Sequence, residues 1–293
     1  MVDRHSGRSA VERCAHAPGA AVWFGPPGRT VGRPAAFCSH PPYRSAMEDE
    51  SFCVDPHVHS EGSYDGREPV ELLLEHAADI GLDCIVVTDH DDIDDSLRAA
   101  RLAPSYGLVG VPGVEVSTAD GHLLAIGVTE CPPPGRPLPD TVAAVRAQGG
   151  VAVVPHPFQR TRHGVPRRRL AGIDVDGIET YNAWLFTGYR NRRAAAFARR
   201  YDHADLAGSD AHRVGTVGRA YTALELPTDG SVTPDDVVAA IRRGDTAVHG
   251  RRAPLARCAG HYLKGAARKV RYALRKAPRS AVAAVPGLPG RHG

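Results

Sequence analysis

The chain has 293 residues, 42% of them hydrophobic, which is enough for one large α/β domain or two small ones. No apolar run reaches the ~18 residues of a membrane-spanning helix, and no continuous apolar core marks a signal peptide near the N-terminus, so neither is expected. The net charge of +3 hides an asymmetry. Residues 250–293 hold 11 Lys and Arg and no acid, and residues 1–46 hold 6 basic and 2 acidic residues, so the middle of the chain is strongly acidic. The six cysteines (Cys14, Cys38, Cys53, Cys84, Cys131 and Cys258) form no CxxC pair. That pattern argues against a zinc ribbon or a disulfide framework and predicts reduced thiols in a cytoplasmic protein.

In chain order, residues 1–46 are rich in Gly, Pro, Arg, Ala and Ser without a sustained period, and predict a disordered extension. Met47 opens MEDESFCVDPHVHS, so the segment before it also reads as an over-extended start. Between about 50 and 245, short apolar runs alternate with helical patterns. Strands are predicted at SFCV, CIVVT, LVGVPGVEVS, HLLAIGV, VAVVP, GIETY, DLAGS and YTALEL. Helices are predicted at EPVELLLEHAADIG, DDIDDSLRAARLA, PDTVAAVRAQGG, YRNRRAAAFARRY and TPDDVVAAIRRG. Gly81, Gly149 and Gly244 stand where helices should stop, and Pro69, Pro139 and Thr233-Pro234 where they should start. This alternation predicts a parallel sheet, open or closed into a barrel. The basic 250–293 tail contains HYLKGAARKVRYALRKAPR, which predicts a partly helical segment with a narrow apolar stripe.

Polar residues gather where the strand runs give way to loops. Asp55, His57, His59 and Asp65 follow SFCV; Asp89 and His90 follow CIVVT; Glu115 follows LVGVPGV; and His122 opens the next run. His156 follows VAVVP, Glu179 and Asn182 lie in and after GIETY, and Asp210 and His212 follow DLAGS. In parallel α/β folds such strand ends converge on one face, where sites form. One His-x-His alone is more often structural, and Asp89 alone reads equally as a helix cap. The conjunction predicts a polynuclear metal site. Imidazole and carboxylate without thiolate suit Mn, Zn or Fe, and Glu115 is placed to bridge two ions.

The ordered set HVHS with its following DG, TDHD, GVEVS, GHLLAIG, VPHPF and GSDAH resembles the PHP superfamily (polymerase and histidinol phosphatase) over about residues 52–249. The resemblance implies a distorted (β/α)7 TIM-like barrel over 47–249, with two or three divalent ions at the strand C-termini. It implies that His57 and His59 hold one ion shared with Glu115 and Asp210. Glu115 would bridge to a second ion held by His156, and Asp65, His90 and His212 would bind a third. His122 matches a family position between the glutamate and the next histidine. Asp65 stands where some members have histidine.

The expected activity is hydrolysis of phosphate esters, a phosphatase or phosphoesterase reaction by a metal-bridged hydroxide. Arg160, Arg162 and Arg213 are the candidates to hold phosphate oxygens, and His90 or His212 to protonate the leaving oxygen. The expected substrate is a phosphomonoester such as a nucleotide or a short oligonucleotide end. A histidinol-phosphate-type phosphatase is the alternative. A second alternative is a non-catalytic, nucleic-acid-associated metal-binding protein that contacts polyanions through its basic tail.

Overall fold

The structure, a computed structural model, describes residues 51–184, 188–226 and 231–251. These belong to the second of two compact units, His40–Gly293. The predicted extension 1–46 and the tail beyond Arg251 lie outside the described residues.

The apolar runs become strands and the amphipathic runs helices. In order these are β1 (Phe52–Val58), α1 (Val70–Asp79), β2 (Cys84–Val87), α2 (Asp94–Leu102), β3 (Val109–Gly110), β4 (Gly113–Thr118) and β5 (Gly121–Ile126). Then come α3 (Leu138–Ala147), β6 (Val151–Val154), α4 (Arg167–Leu170), β7 (Gly177–Asn182), α5 (Gly188–Tyr201), β8 (Ala204–Gly208), β9 (Ala220–Leu224), α6 (Pro234–Arg243) and β10 (Thr246–Gly250). The long run LVGVPGVEVS splits into β3 and β4 around Pro112, whose missing N–H cannot join a ladder. Gly81, Gly149 and Gly244 all take left-handed φ at helix ends.

The expected (β/α)7 barrel does not form. The strands make two separate mixed sheets, ordered β10-β9-β1-β2-β3 and β4-β5-β6-β7-β8. The reason is strand direction. Only Ala119 and Asp120 separate β4 from β5, so the pair is a tight antiparallel hairpin, and β5 also runs antiparallel to β6. In the other sheet β9 runs antiparallel to both β1 and β10. Where the sheets approach, single bridges replace ladders: Val58 to Ala211, and His90 to Glu115. Both bridges lie beside the polar cluster described below.

Alternation decides which face each strand buries. Val114, Val116, Leu123, Ala125, Ala152, Val154 and Ile178 pack outward against α3 and α5. Val58, Ile85 and Val87 pack against α1 and α2. The opposite faces of the two sheets share a third cluster, in which Val54, Val86, Leu124, Val153 and Leu206 meet Val237 and Ile241 of α6. Each fully buried leucine, Leu73 and Leu124 among them, contributes about 2 kcal/mol. The start of α6 carries a capping box, with Thr233 accepting from Asp236 N–H and the Asp236 carboxylate accepting from Thr233 N–H. Thr233→Ala should therefore destabilise the protein by about 1 kcal/mol, read as a lower Tm. An unchanged Tm would show that α6 is held by its buried face alone.

Candidate metal centre

The local chain sets the ligand geometry. His57 and His59 bracket the last residue of β1 with one residue between them, so strand alternation sends both imidazoles to the same face. His59 N–H then bonds Ala211 C=O at 2.8 Å, which brings the β8 end alongside β1. Asp91 N–H bonds Glu115 C=O at 3.0 Å, which brings the β2 end alongside β4. Because β5 is antiparallel, its first residues, including His122, lie next to the last residues of β4. His156 and Asp210 each stand two residues beyond a strand end, at left-handed φ of 30° and 53°. For non-glycine residues this conformation is strained, and strain of this kind gathers at functional sites.

The result is one buried carboxylate ringed by imidazoles. Glu115 Oε1 lies 2.8 Å from His122 Nδ1 and 3.1 Å from His156 Nε2. Its Oε2 lies 3.3 Å from each of His57 Nε2, His59 Nε2 and His90 Nδ1. Asp65 Oδ2 sits 3.0 Å from His212 Nε2 and 3.6 Å from His90 Nε2. Asp210 Oδ2 is 2.6 Å from Arg162 and accepts from Asn182 Nδ2 at 2.9 Å. Four overlapping groups of donor atoms emerge: His59, Asp65, His90 and His212; His57, His59 and Glu115; His57, His156 and Asp210; His90, Glu115 and His122. Together they take in each of the nine predicted metal positions. The first group is the most open, since Asp65 and His90 are only partly buried.

Donor chemistry fits a divalent cation. His57 and His59 aim their Nε2 atoms at each other, 3.2 Å apart in a fully buried site. His57 Nδ1 is already engaged by Glu179 Oε1 at 2.9 Å, which favours the tautomer with a lone pair on Nε2. Among the described residues, the buried His59 Nδ1, His156 Nδ1 and Asp210 Oδ1 have no hydrogen-bond partner. Lone pairs converging in a dry site require positive charge.

The electrostatics agree. Burial by itself would lower His57, but Asp210, Glu115 and Glu179 hold it well above the usual imidazole value. His90 is likewise pulled up to about 9 against its burial, by Glu115 and Asp65. His59 goes the other way, to about 3, through burial and the neighbouring His212. Despite their burial, Glu115 and Asp210 are held well below the usual carboxylate range, Glu115 chiefly by His122, His90 and His57 and Asp210 chiefly by Arg162 and His57.

Around this set sits a layer of supporting groups. Asp55 belongs to none of the donor groups and accepts from Ser209 N–H at 3.0 Å and Gly218 N–H at 2.9 Å. Asp89 accepts from Ser60 N–H at 2.8 Å, tying the loop after β1 to the end of β2. Glu179 is buried in the middle of β7, and besides His57 its carboxylate accepts from His156 N–H at 2.7 Å and Asn182 Nδ2 at 2.9 Å. Its position depends on Gly208, where a Cβ would stand 2.6 Å from Glu179 Oε1 and 2.7 Å from His57 Cβ. Sequence reading placed Glu179 in this cavity without its partners. The available signal was an acid on a strand whose other residues are apolar, buried or both. Of the candidate arginines, Arg162 reaches the cluster, while Arg160 and Arg213 are exposed and make no ion pair with it among the described residues.

An uncharacterised protein of Methanocaldococcus jannaschii is 31% identical over 191 residues, covering 60% of this chain and 74% of that protein. The family profile described as PHP-associated matches residues 188–246, which carry α5, β8, Asp210, His212 and α6. A two-domain protein from Bacteroides vulgatus, described as containing a predicted PHP-like metal-dependent phosphoesterase, shares the fold with a TM-score of 0.57 at 20% identity, covering 69% of this chain and 65% of that one. Over residues 188–246 the chain belongs to the PHP-associated family. A second solved structure, PsfC from Pseudomonas syringae, shares the fold at a TM-score of 0.56 and 22% identity over 74% of this chain and 98% of that one. A shorter match is the phosphoribosyl 1,2-cyclic phosphate 1,2-diphosphodiesterase of Eggerthella lenta, 38% identical over 85 residues, 27% of this chain and 32% of that protein. Among the described residues, no helix is long and apolar enough to cross a membrane.

Proposed function

We propose that this PHP protein is a metal-dependent hydrolase of phosphate esters, acting on a phosphomonoester such as a nucleotide or a short oligonucleotide end. The observation that carries the reading is Glu115, a buried carboxylate within 3.3 Å of five imidazoles, a donor density that fits two or three divalent cations. The phosphodiesterase named among the relatives supports the same chemistry over the part of the chain it matches. Residues His57, His59, Asp65, His90, Glu115, His122, His156, Asp210 and His212 would hold the cations. The imidazole and carboxylate mixture suits Mn, Zn or Fe. Bound cations supply water activation and charge neutralisation at phosphorus.

The chain's own groups do the rest. Glu179 fixes the His57 ring and the His156 backbone, and Asn182 fixes Asp210. Arg162, next to Asp210, presents a planar guanidinium suited to paired phosphate oxygens. His90 and His212 flank Asp65 on the more open side, and whichever of the two is not fully engaged with a cation can give an imidazole proton to a leaving oxygen. The catalytic unit is 47–249, with 250–293 as a basic appendage that adds weak, salt-sensitive contact to polyanions.

The deciding experiment is metal analysis of the purified protein followed by a panel of p-nitrophenyl phosphate, 5′- and 3′-nucleotides and short RNA. Phosphate release that a chelator abolishes and Mn restores is the expected result. Stoichiometric metal without turnover on any member would overturn the hydrolase reading.

A further inference from the structure

The loop that carries Asp65 also carries Tyr64, a residue that is 79% exposed. An exposed tyrosine is ordinary on a loose loop, but this loop is braced. Glu61 N–H bonds Glu68 C=O at 2.9 Å and Ser63 N–H bonds Ser60 C=O at 3.2 Å, closing it at both ends. Ser63, buried just before Tyr64, donates to Asp65 Oδ1 at 2.9 Å. Gly66 presses so closely on Ser60 C=O that a Cβ there would lie 1.7 Å from the oxygen. Tyr64 is therefore held out from a fixed frame.

The position of the ring is specific. It lies nearly parallel to His90, with centroids 4.8 Å apart and planes inclined by 17°. His90 and His212 are the two imidazoles facing Asp65, the open side of the cluster. Trp184 meets His212 edge-on at 6.4 Å. His90 and His212 thus each have an aromatic neighbour. One face of Tyr64 is taken by His90, and the ring's exposure leaves the other available to a flat partner.

We propose that Tyr64 is a specificity-determining residue whose free face stacks on the nucleobase of the substrate, so that the preferred phosphoesters carry a base beside the phosphate. This rests on the hydrolase reading and narrows its substrate class. Offset stacking on tyrosine is available to every base, so it selects nucleotides over base-free sugar phosphates without selecting one base. The base comes from a free nucleotide or from an oligonucleotide end, and the assay separates these sources.

The test uses the metal-loaded full chain and compares AMP, a 5′-phosphorylated dinucleotide and ribose 5-phosphate in wild type, Tyr64→Ala and Tyr64→Phe. The expected result is a drop of about tenfold in the ratio of kcat/KM for AMP to that for ribose 5-phosphate in Tyr64→Ala, carried mostly by KM. Tyr64→Phe keeps the wild-type ratio, because stacking needs the ring and not the hydroxyl. A similar drop with the dinucleotide and little with AMP assigns the site to oligonucleotide ends and still supports the stacking role. An unchanged ratio, or an equal loss on all three compounds, overturns it and leaves Tyr64 as a cover for His90. If wild type hydrolyses none of them, the wider panel given above judges the hydrolase reading. Equilibrium binding of AMP and ribose 5-phosphate to wild type and Tyr64→Ala then decides the stacking role by the same ratio.

Discussion

Glu115→Gln is expected to strip the protein of bound metal and to lower phosphate release by more than about a hundredfold, beyond the range for outer supporting groups. The change is nearly isosteric, so packing around β4 is preserved. What changes is charge and hydrogen-bond sense. The carboxylate offers only acceptors to His122, His156, His57, His59 and His90. An amide keeps one acceptor and turns an NH2 toward the others, pointing protons at nitrogens whose lone pairs a cation would need. It also removes the negative charge that raises His57 and His90. Metal content by elemental analysis and Mn-dependent release of phosphate give two independent readouts. Wild-type metal stoichiometry together with activity within tenfold of wild type would refute the central place given to Glu115.

Glu179→Gln should lower metal affinity or activity by about 10- to 100-fold while the fold persists. The residue sits outside the donor groups, yet no orientation of a glutamine satisfies its three neighbours. If the amide oxygen faces His57 Nδ1, the NH2 meets the donors His156 N–H and Asn182 Nδ2. If the amide is flipped, the NH2 faces His57 Nδ1, which must then accept, and the ring proton moves to Nε2 at the heart of the site. Either way a buried polar contact is lost or a ligand is blocked. A titration against a competing chelator measures the first quantity and steady-state kinetics the second. Affinity and kcat/KM both within twofold of wild type would show that Glu179 does not position His57.

How much of this was legible follows from what each residue type advertises. His57, His59, His90, His156, Asp210 and His212 were legible because imidazoles and acids directly after apolar runs are conspicuous, and those runs do become strands. Glu179 was less so, since a single acid inside GIETY has the same appearance whether it faces solvent or a histidine 122 residues earlier. The strand TAVHG was missed because it is short and mostly exposed, an edge strand without an apolar run. The barrel expectation failed on direction. Apolar content marks HLLAIGV as a strand but is blind to which way it runs. The cue was the connection: the four residues TADG between GVEVS and HLLAIGV leave no room for a crossover helix, so the pair had to be antiparallel.

The strand order also has a bearing on how the protein is made. β1 and β2 are synthesised early, but the other edge of β1 pairs with β9, Phe52 opposite Leu224. All of the second sheet is translated in between. Until β9 emerges, then, β1 presents an unpaired, apolar edge with two histidines at its end, a surface prone to mispairing with other chains. Asp210 and His212 also emerge late, so no metal-binding group that includes them can close on a partial chain. For this protein, assembly of the centre and completion of the first sheet are nearly the same event on the ribosome.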